Sequence, residues 1–160
     1  YMREVAEKNQ WIKPTCIHTP MLSGLKGPGG RMDSFDHKMS KSDPENAILL
    51  DDDSESIRTK IRKSFLDVGN DKSPIFEISQ HVIMPKLGKV VVSPDPKYGK
   101  PSEWTDQQQF VDAVSNGEIH PLDAKMAVAD ALFEVLEPIS QHFSDKQDLI
   151  ESINSISGKS

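Results

Sequence analysis

The residues best suited to chemistry lie in one short polar run, Lys38–Ser42, which reads Lys-Met-Ser-Lys-Ser. It places two lysine ammonium groups and two serine hydroxyls within five positions, after a glycine-rich stretch with Gly24, Gly27, Gly29 and Gly30. An ammonium group is a compact charge on a flexible stem, which suits it to holding a phosphate that moves during a reaction. Catalysis of phosphoryl and nucleotidyl transfer depends mainly on positioning and on neutralising the phosphate oxygens. The run therefore predicts a mobile loop that binds nucleotide phosphates.

The residues alone leave one simpler interpretation of this run open and argue against another. The stretch beginning at Ser42 has the composition of a helix start, with Ser42 as the cap and Pro44 in the first turn, so both lysines could be ordinary surface residues. The glycine spacing also suits a P-loop, but Gly30-Arg31 follows where Gly-Lys-Ser/Thr is required. If phosphate binds here, we expect lysine side chains to bind it, without a backbone cradle.

The run and its flanks resemble one enzyme family. All five letters match the KMSKS motif of class I aminoacyl-tRNA synthetases, and Met21–Leu25 and Ser42–Ile48 are similar to the end of the catalytic domain in the tyrosyl and tryptophanyl enzymes. The resemblance implies an α/β protein. Residues 1–46 would be the C-terminal part of a Rossmann-type catalytic domain, and residues 47–160 a mostly α-helical anticodon-binding domain with a small β-hairpin. The family's first ATP-binding motif has no match in the chain.

Three stretches of the second half favour the tyrosyl enzymes of archaea and eukaryotes: Asp95–Gly99, Gly117–Val128 and Leu136–Ile139. In that family an aromatic residue of the turn stacks on the first anticodon base, and a carboxylate at the helix start accepts hydrogen bonds from guanine. The resemblance therefore implies Tyr98 and Asp123 as anticodon-binding residues. Stacking contributes about 1–3 kcal/mol per base, and an unpaired base exposes its hydrogen-bonding edge. Lys100 and Ala124 depart from the family's usual glycine and leucine.

The implied reaction joins tyrosine to tRNA(Tyr) through a tyrosyl-adenylate made from ATP. Lys38 and Lys41 would be the catalytic residues, and the ATP-binding set would be Lys38, Met39, Ser40, Lys41 and Ser42. Mg²⁺ would accompany ATP, and the protein would be cytoplasmic and either a dimer or a tandem pseudo-dimer. Two alternatives stay open: a tryptophanyl enzyme, and a non-catalytic tRNA-binding module derived from a synthetase.

Composition limits the other possibilities. The chain has 160 residues, of which 36% are hydrophobic and 28% charged, which is typical of a soluble globular protein without a membrane segment. Its net charge of −6 argues against indiscriminate nucleic-acid binding. The single cysteine, Cys16, suits a reducing compartment. The five histidines show no metal-ligand spacing, so no metal site is predicted.

Hydrophobic periodicity predicts the following elements. They are a helix to residue 9, a buried strand at Thr15–Thr19, helices over residues 55–66, 74–86, 106–115 and 145–156, and a hairpin joining residues 89–93 to Trp104. The longest helix begins at Pro121 and should be kinked or split by Pro138. It carries a continuous apolar stripe at helical spacing, which we expect to face the core: Leu122, Met126, Ala129, Leu132, Phe133, Leu136, Ile139 and Phe143.

Two charged features of the first predicted long helix have a structural and a functional interpretation. Asp51–Asp53 could bind a cation, but an acidic approach to a helix capped by Asp53 or Ser54 is favoured. Within the helix, Ile57, Ile61 and Phe65 should share one apolar face. Its basic residues on the other faces could contact RNA or simply be solvated: Arg58, Lys60, Arg62 and Lys63.

Overall fold

The computed structural model describes residues 1–27, 38–40, 42–50, 52–144, 146, 148–149 and 152. In these ranges the elements in chain order are α1 Met2–Lys8, α2 Ser54–Lys63, α3 Pro74–Ile78, α4 Met84–Leu87, β1 Val90–Val92, β2 Ser102–Trp104, α5 Gln107–Ser115 and α6 Pro121–Ser144. A 3₁₀ turn, Pro44–Asn46, precedes α2, and a π-helical turn, Ser79–Ile83, joins α3 to α4. None of the described helices combines the length and apolar character needed to cross a membrane.

One apolar core joins most of these elements. Its two largest members, Phe76 of α3 and Phe110 of α5, meet edge to face with ring centroids 6.0 Å apart. Leu25, which lies outside any helix or strand, is buried in the same core. Further fully buried side chains come from α2, α3, β1 and α6: Ile57, Ile61, Ile75, Val90, Ala124 and Val128. The segment around Leu25 is therefore attached to the helical part of the molecule.

Helix α6 begins at Pro121 as predicted, and most of the predicted stripe faces the core: Ala129 and Leu132 are buried, and Met126, Phe133 and Leu136 pack against the core. The buried face near its start also includes small residues outside the stripe: Ala124, Ala127 and Val128. Leu122, assigned to the stripe, is 37% exposed. Small side chains let α2 and β1 pack close to the α6 backbone, and this packing selects the face that becomes buried.

Pro138 lies inside a continuous α6, so of the two predicted outcomes the split is wrong and the kink stays a prediction. Its side chain is exposed. Water can therefore reach the carbonyl that has lost its intrahelical partner, which reduces the cost of the missing hydrogen bond.

Helix α2 starts as predicted and ends earlier than predicted. The side chain of Asp53 caps it by accepting a hydrogen bond from the Ser56 amide at 2.7 Å. After Lys63 the chain turns away, because the Phe65 amide donates to the Leu25 carbonyl at 2.7 Å. Phe65 is therefore outside the helix and 38% exposed, contrary to its predicted place on the buried face.

The predicted helix over residues 74–86 is present as α3, the π-helical turn and α4. The π-helical turn immediately precedes the segment that contains Pro85, a residue that cannot donate an intrahelical hydrogen bond. Gln107 of α5 supports this region, since its Oε1 accepts from the Ser79 hydroxyl and its Nε2 donates to the Phe76 carbonyl. The sequence analysis predicted one helix here and did not predict the π-helical turn within it.

The predicted hairpin and the helix after it are confirmed. Strands β1 and β2 pair antiparallel, with Val90 opposite Trp104. Asp106 caps α5 by accepting from the Gln109 amide at 2.9 Å, and Gly117 follows the helix with a left-handed φ of +79°.

The predicted strand at Thr15–Thr19 is wrong. Residues 11–20 have no regular secondary structure, and Ile17 is 88% exposed. A short strand needs a hydrogen-bonded neighbour to be stable, and the described residues offer none beside this segment. The last predicted helix, residues 145–156, lies mostly outside the described residues.

The Asp53 cap should make stability depend on pH. Hydrogen bonds from the Ser56 amide and then the Ser56 hydroxyl lower the pKa of Asp53. Its stabilisation is therefore complete above the unfolded-state pKa of about 3.9 and is lost as the pH falls through the lower folded-state pKa. We expect Asp53→Asn, which keeps an acceptor but cannot ionise, to lower the urea midpoint at neutral pH, with the difference from wild type shrinking in acid.

Asp71→Asn, which removes one exposed carboxylate from a turn, is the matched control for the change in net charge. A difference between wild type and Asp53→Asn that stays constant across the acidic range would contradict this assignment.

Candidate nucleic-acid interface

A cavity of about 340 Å³ lies between the hairpin, the turn that joins its strands, and the start of α6. Its volume falls within the range of about 300–1,000 Å³ that is usual for small-ligand pockets. The side chains around it are aromatic, charged and polar in combination. Those with evident binding chemistry are Tyr98, Lys100, Trp104, Glu118, His120 and Asp123.

Tyr98 is presented to this cavity by a tight turn. Its amide donates to the Asp95 carbonyl at 2.8 Å, and the Lys97 amide donates to the Asp95 side chain at 2.9 Å. Gly99 follows, and a Cβ placed there would come within 3.1 Å of the Pro94 ring. The tyrosine side chain itself is 84% exposed, so its ring face is available to stack on a ligand.

Asp123 reaches the same cavity from the first turn of α6. The helix starts at His120-Pro121, where the His120 ring Nδ1 accepts a hydrogen bond from the Leu122 amide at 3.1 Å. Pro121 suits the first helical position because its missing amide hydrogen has no intrahelical partner there. The half-buried Asp123 carboxylate therefore lies where the helix dipole favours negative charge and where a ligand can still reach it.

The structure thus brings Tyr98 and Asp123 together on one cavity. Sequence reasoning did not assign Trp104, His120 or Glu118 to this site. The available signals were local: Trp104 was expected on the returning strand, and His120 directly precedes the proline that opens α6. Neither signal indicates which loop faces which helix.

The lysine–serine segment (residues 38–42) lies in another part of the molecule, and its fourth residue, Lys41, is outside the described residues. Lys38 pairs with Ser23 in an isolated antiparallel bridge, and the Met39 amide donates to the Leu22 carbonyl at 3.1 Å. The Lys38 side chain is exposed, and among the described residues it forms no ion pair.

The hydroxyls of Ser40 and Ser42 lie 2.7 Å apart and bond to each other. The Ser40 carbonyl accepts from the Asp43 amide at 3.0 Å, which closes a turn before the 3₁₀ turn. Asp43, and not Ser42, is the capping position of that turn, and neither side chain makes a capping bond there. The helix start that the sequence offered at Ser42 is therefore only a single 3₁₀ turn, Pro44–Asn46.

Two glycines before the segment are required by close contacts. A Cβ on Gly24 would overlap the Asn46 side chain, whose Oδ1 accepts a hydrogen bond from the Lys26 amide at 2.7 Å. Gly27 has a φ of +71°, and a Cβ there would overlap the Phe65 ring. Gly29 and Gly30 lie outside the described residues. The base of the glycine-rich stretch is thus packed against the helical part.

Two of the four basic residues of α2 are occupied by carboxylates. Lys60 bonds to both Asp52 oxygens at 2.7 Å, and each of these side chains is only 11% exposed. Arg58 pairs with Asp130 of α6 at 2.9 Å on the surface. Of the acidic triplet, Asp52 therefore forms an ion pair with Lys60, and Asp53 caps α2. Asp51 lies outside the described residues. No cluster of three metal-ligating side chains occurs in the described ranges.

The model of one protein family, tRNA synthetases class I (W and Y), matches residues 1–137. The chain belongs to this family. The family resemblance inferred from the lysine–serine segment and its flanks is thereby confirmed, and the mixed fold with its small two-stranded sheet is a class I synthetase-like fold.

Among curated relatives, the tyrosine–tRNA ligase of Aeropyrum pernix is 36% identical over 98% of this chain. That of Saccharolobus islandicus is 37% identical over 97%. The chain spans 46% of the length of each, a little under half. These matches support the tyrosyl type within the family.

Solved structures of tyrosyl-tRNA synthetases have the same fold. The enzyme from Aeropyrum pernix superposes with a TM-score of 0.79 at 34% identity, over 98% of this chain and 44% of its own. The Pyrococcus horikoshii enzyme, solved with L-tyrosine, superposes with a TM-score of 0.82 at 29% identity, over 96% of this chain and 47% of its own.

Lys125, two residues beyond Asp123, ties the start of α6 to the end of α2. Its Nζ donates to the carbonyls of Ser64 at 2.6 Å and Arg62 at 3.2 Å, and burial lowers the pKa of this amine. We expect Lys125→Met to destabilise the protein by about 1–3 kcal/mol, because the buried Ser64 residue would lose a hydrogen-bond partner. Urea unfolding measures this difference.

Lys63→Met, which removes an exposed lysine from α2, is the matched control, and Lys125→Arg tests whether another cationic donor restores stability. Equal destabilisation by Lys63→Met and Lys125→Met would show that the two carbonyl contacts are unimportant.

Proposed function

We propose that the full-length protein containing this chain attaches tyrosine to tRNA(Tyr). The observation that carries the proposal is the shared cavity of Tyr98 and Asp123, in a chain whose curated relatives include tyrosine–tRNA ligases. In the proposed reaction, the tyrosine carboxylate attacks the α-phosphate of ATP, giving tyrosyl-adenylate and pyrophosphate. The tyrosyl group then passes to the terminal adenosine of the tRNA.

The domain assignment belongs to the same proposal. Residues 1–46 complete a Rossmann-type catalytic domain, and residues 47–160 form the anticodon-binding domain. The burial of Leu25 in the helical core supports a close attachment of the first part to the second. A dimer or a tandem pseudo-dimer, and a cytoplasmic location, stay predictions from the family resemblance.

In the proposed anticodon site, the exposed ring of Tyr98 stacks on one face of an unpaired base, and Asp123 accepts hydrogen bonds from its edge. Guanine is the base that offers two adjacent donors to a carboxylate. The cavity has a volume suited to a small ligand, and its tyrosine and tryptophan supply apolar surface next to the charged residues. Lys100, at the rim, adds a cation that suits a neighbouring phosphate.

In the proposed catalytic loop, Lys38 and Lys41 neutralise charge that develops on the leaving pyrophosphate. The exposed ammonium group of Lys38 suits this role, since the described residues do not engage it in an ion pair. Ser40 and Ser42 hold the turn by their mutual hydrogen bond, and Met39 packs against the core. Mg²⁺ would arrive with ATP and share the task of neutralising its phosphates.

The proposed function is tested by pyrophosphate exchange in the full-length protein, with tyrosine and with tryptophan as the amino acid. Exchange with tyrosine alone supports the proposal. The family model covers both specificities, so exchange with tryptophan alone would favour the tryptophanyl alternative. Exchange with neither would favour the non-catalytic tRNA-binding module.

Lys38→Ala and Lys41→Ala should each lower the exchange rate by about 10²- to 10³-fold, the usual effect of losing one group that stabilises transition-state charge. The KM for tyrosine should change little, because these ammonium groups act on phosphate. Lys63→Ala, which removes an exposed lysine from α2, is the matched control. An unchanged exchange rate in Lys41→Ala would refute its catalytic role.

Asp123→Ala should raise the KM for tRNA by about 10- to 100-fold, because a good bidentate contact to a base contributes about 1–3 kcal/mol. Exchange, which needs no tRNA, should change far less. Glu137→Ala removes an exposed carboxylate from α6 outside the cavity lining and serves as the control for charge. Tyr98→Ala should weaken tRNA binding more than Tyr98→Phe, which keeps the ring. Normal aminoacylation by Asp123→Ala would show that this carboxylate is structural.

A further inference from the structure

Glu77 makes a contact that links the helical part to the strand-like segment holding Lys38. Its Oε2 accepts a hydrogen bond from the Ser23 amide at 2.8 Å, across 54 positions of the sequence. Ser23 is the residue that pairs with Lys38, and the neighbouring Leu22 carbonyl accepts from the Met39 amide. Glu77 is therefore connected to the backbone of Lys38 through one intermediate segment, Leu22–Ser23.

The element that carries Glu77 is held firmly. Its neighbours in α3, Ile75, Phe76 and Ile78, are at most 2% exposed. Side chains packed as densely as a protein interior leave a helix little freedom to shift, so α3 holds Glu77 in a fixed position. A carboxylate that accepts from a backbone amide also makes a stronger hydrogen bond than a neutral acceptor does. Glu77 thus connects a rigid helix to an otherwise short pairing of two loop segments.

The pairing of Ser23 with Lys38 is an isolated bridge rather than part of a sheet. Among the described residues, one backbone hydrogen bond belongs to this bridge, from Met39 to Leu22, so the additional contact on Ser23 has a large share in keeping its position. Leu25, two residues further, is fixed separately through hydrogen bonds to Asn46 and Phe65. The Glu77 contact supplies what those bonds do not: it holds Ser23 from the side opposite to Lys38, so that Ser23 lies between Glu77 and the lysine.

We propose that Glu77 is a positioning residue for Lys38, an inference that rests on the catalytic role proposed for that lysine. By holding Ser23, Glu77 sets where the Lys38 ammonium group lies relative to a bound phosphate. Neutralisation of developing charge requires donors at defined positions, and a displacement of about 1 Å can cost about 100-fold in rate. Glu77 itself touches no substrate in this proposal.

The test compares Glu77→Ala and Glu77→Gln in the full-length protein by pyrophosphate exchange. We expect Glu77→Ala to lower kcat by about 10- to 100-fold while the KM for tyrosine stays near wild type. Glu77→Gln should recover most of the rate, because its amide oxygen can accept the same hydrogen bond. Glu134→Ala, which removes an exposed glutamate from α6, is the matched control and should leave kcat unchanged.

Amide hydrogen exchange provides a second readout that does not depend on activity. Glu77→Ala should speed exchange at Ser23 and Met39, whereas the core amides of α3 should keep their protection. A general loss of protection in α3, without recovery of kcat by Glu77→Gln, would mean that Glu77 only supports the fold and would overturn the inference.

The remaining outcomes separate the two proposals. An active wild type whose Glu77→Ala variant keeps its kcat overturns the positioning role alone. A wild type without exchange activity overturns the proposed function, and the inference that rests on it, whatever the variants show.

Discussion

The carboxyl end of α2 is the constraint on which both candidate sites depend. Helix ends leave carbonyl groups that need partners, and here Lys125 of α6 supplies donors to Arg62 and Ser64. The next amide, that of Phe65, donates to Leu25 just before the glycine-rich stretch. One helix end therefore holds the start of α6, which carries Asp123, and the base of the stretch that leads to Lys38. If this junction shifted, the cavity wall and the anchor of the lysine–serine segment would shift with it.

The charge distribution bears on the proposed binding of tRNA by an acidic chain. With a net charge of −6, the chain as a whole does not attract phosphate. Arg58 and Lys60 of α2, which looked available in the sequence, are paired with Asp130 and Asp52. Recognition would then come from stacking on Tyr98 and from hydrogen bonds to Asp123, contacts that act over short distances and distinguish one base from another.

Features governed by neighbouring residues were predictable. The cap at Asp53, the β1–β2 hairpin and the helix that follows it were predicted from local residue preferences, and the structure contains each of them. The errors arose where partners lie far along the chain. Thr15–Thr19 has strand-forming residues but no neighbouring strand. Phe65 continues the apolar spacing of α2, yet its amide bonds to Leu25 and the helix ends before it. A separate, local expectation also failed in part: Pro138 was predicted to kink or split its helix, and α6 continues through it without a split.

The sequence by itself determined which chemical groups are present and where most helices begin and end, because those properties depend on residues a few positions apart. It carried the lysine–serine segment, the turn around Tyr98 and the helix start around Asp123 as three separate features. Only the tertiary structure decided that Tyr98 and Asp123 line one cavity, and that Glu77 holds the residue paired with Lys38. Contacts of this kind are selected by the packing of α2, α3 and α6 around a common core, and the spacing of residues within each segment does not specify them.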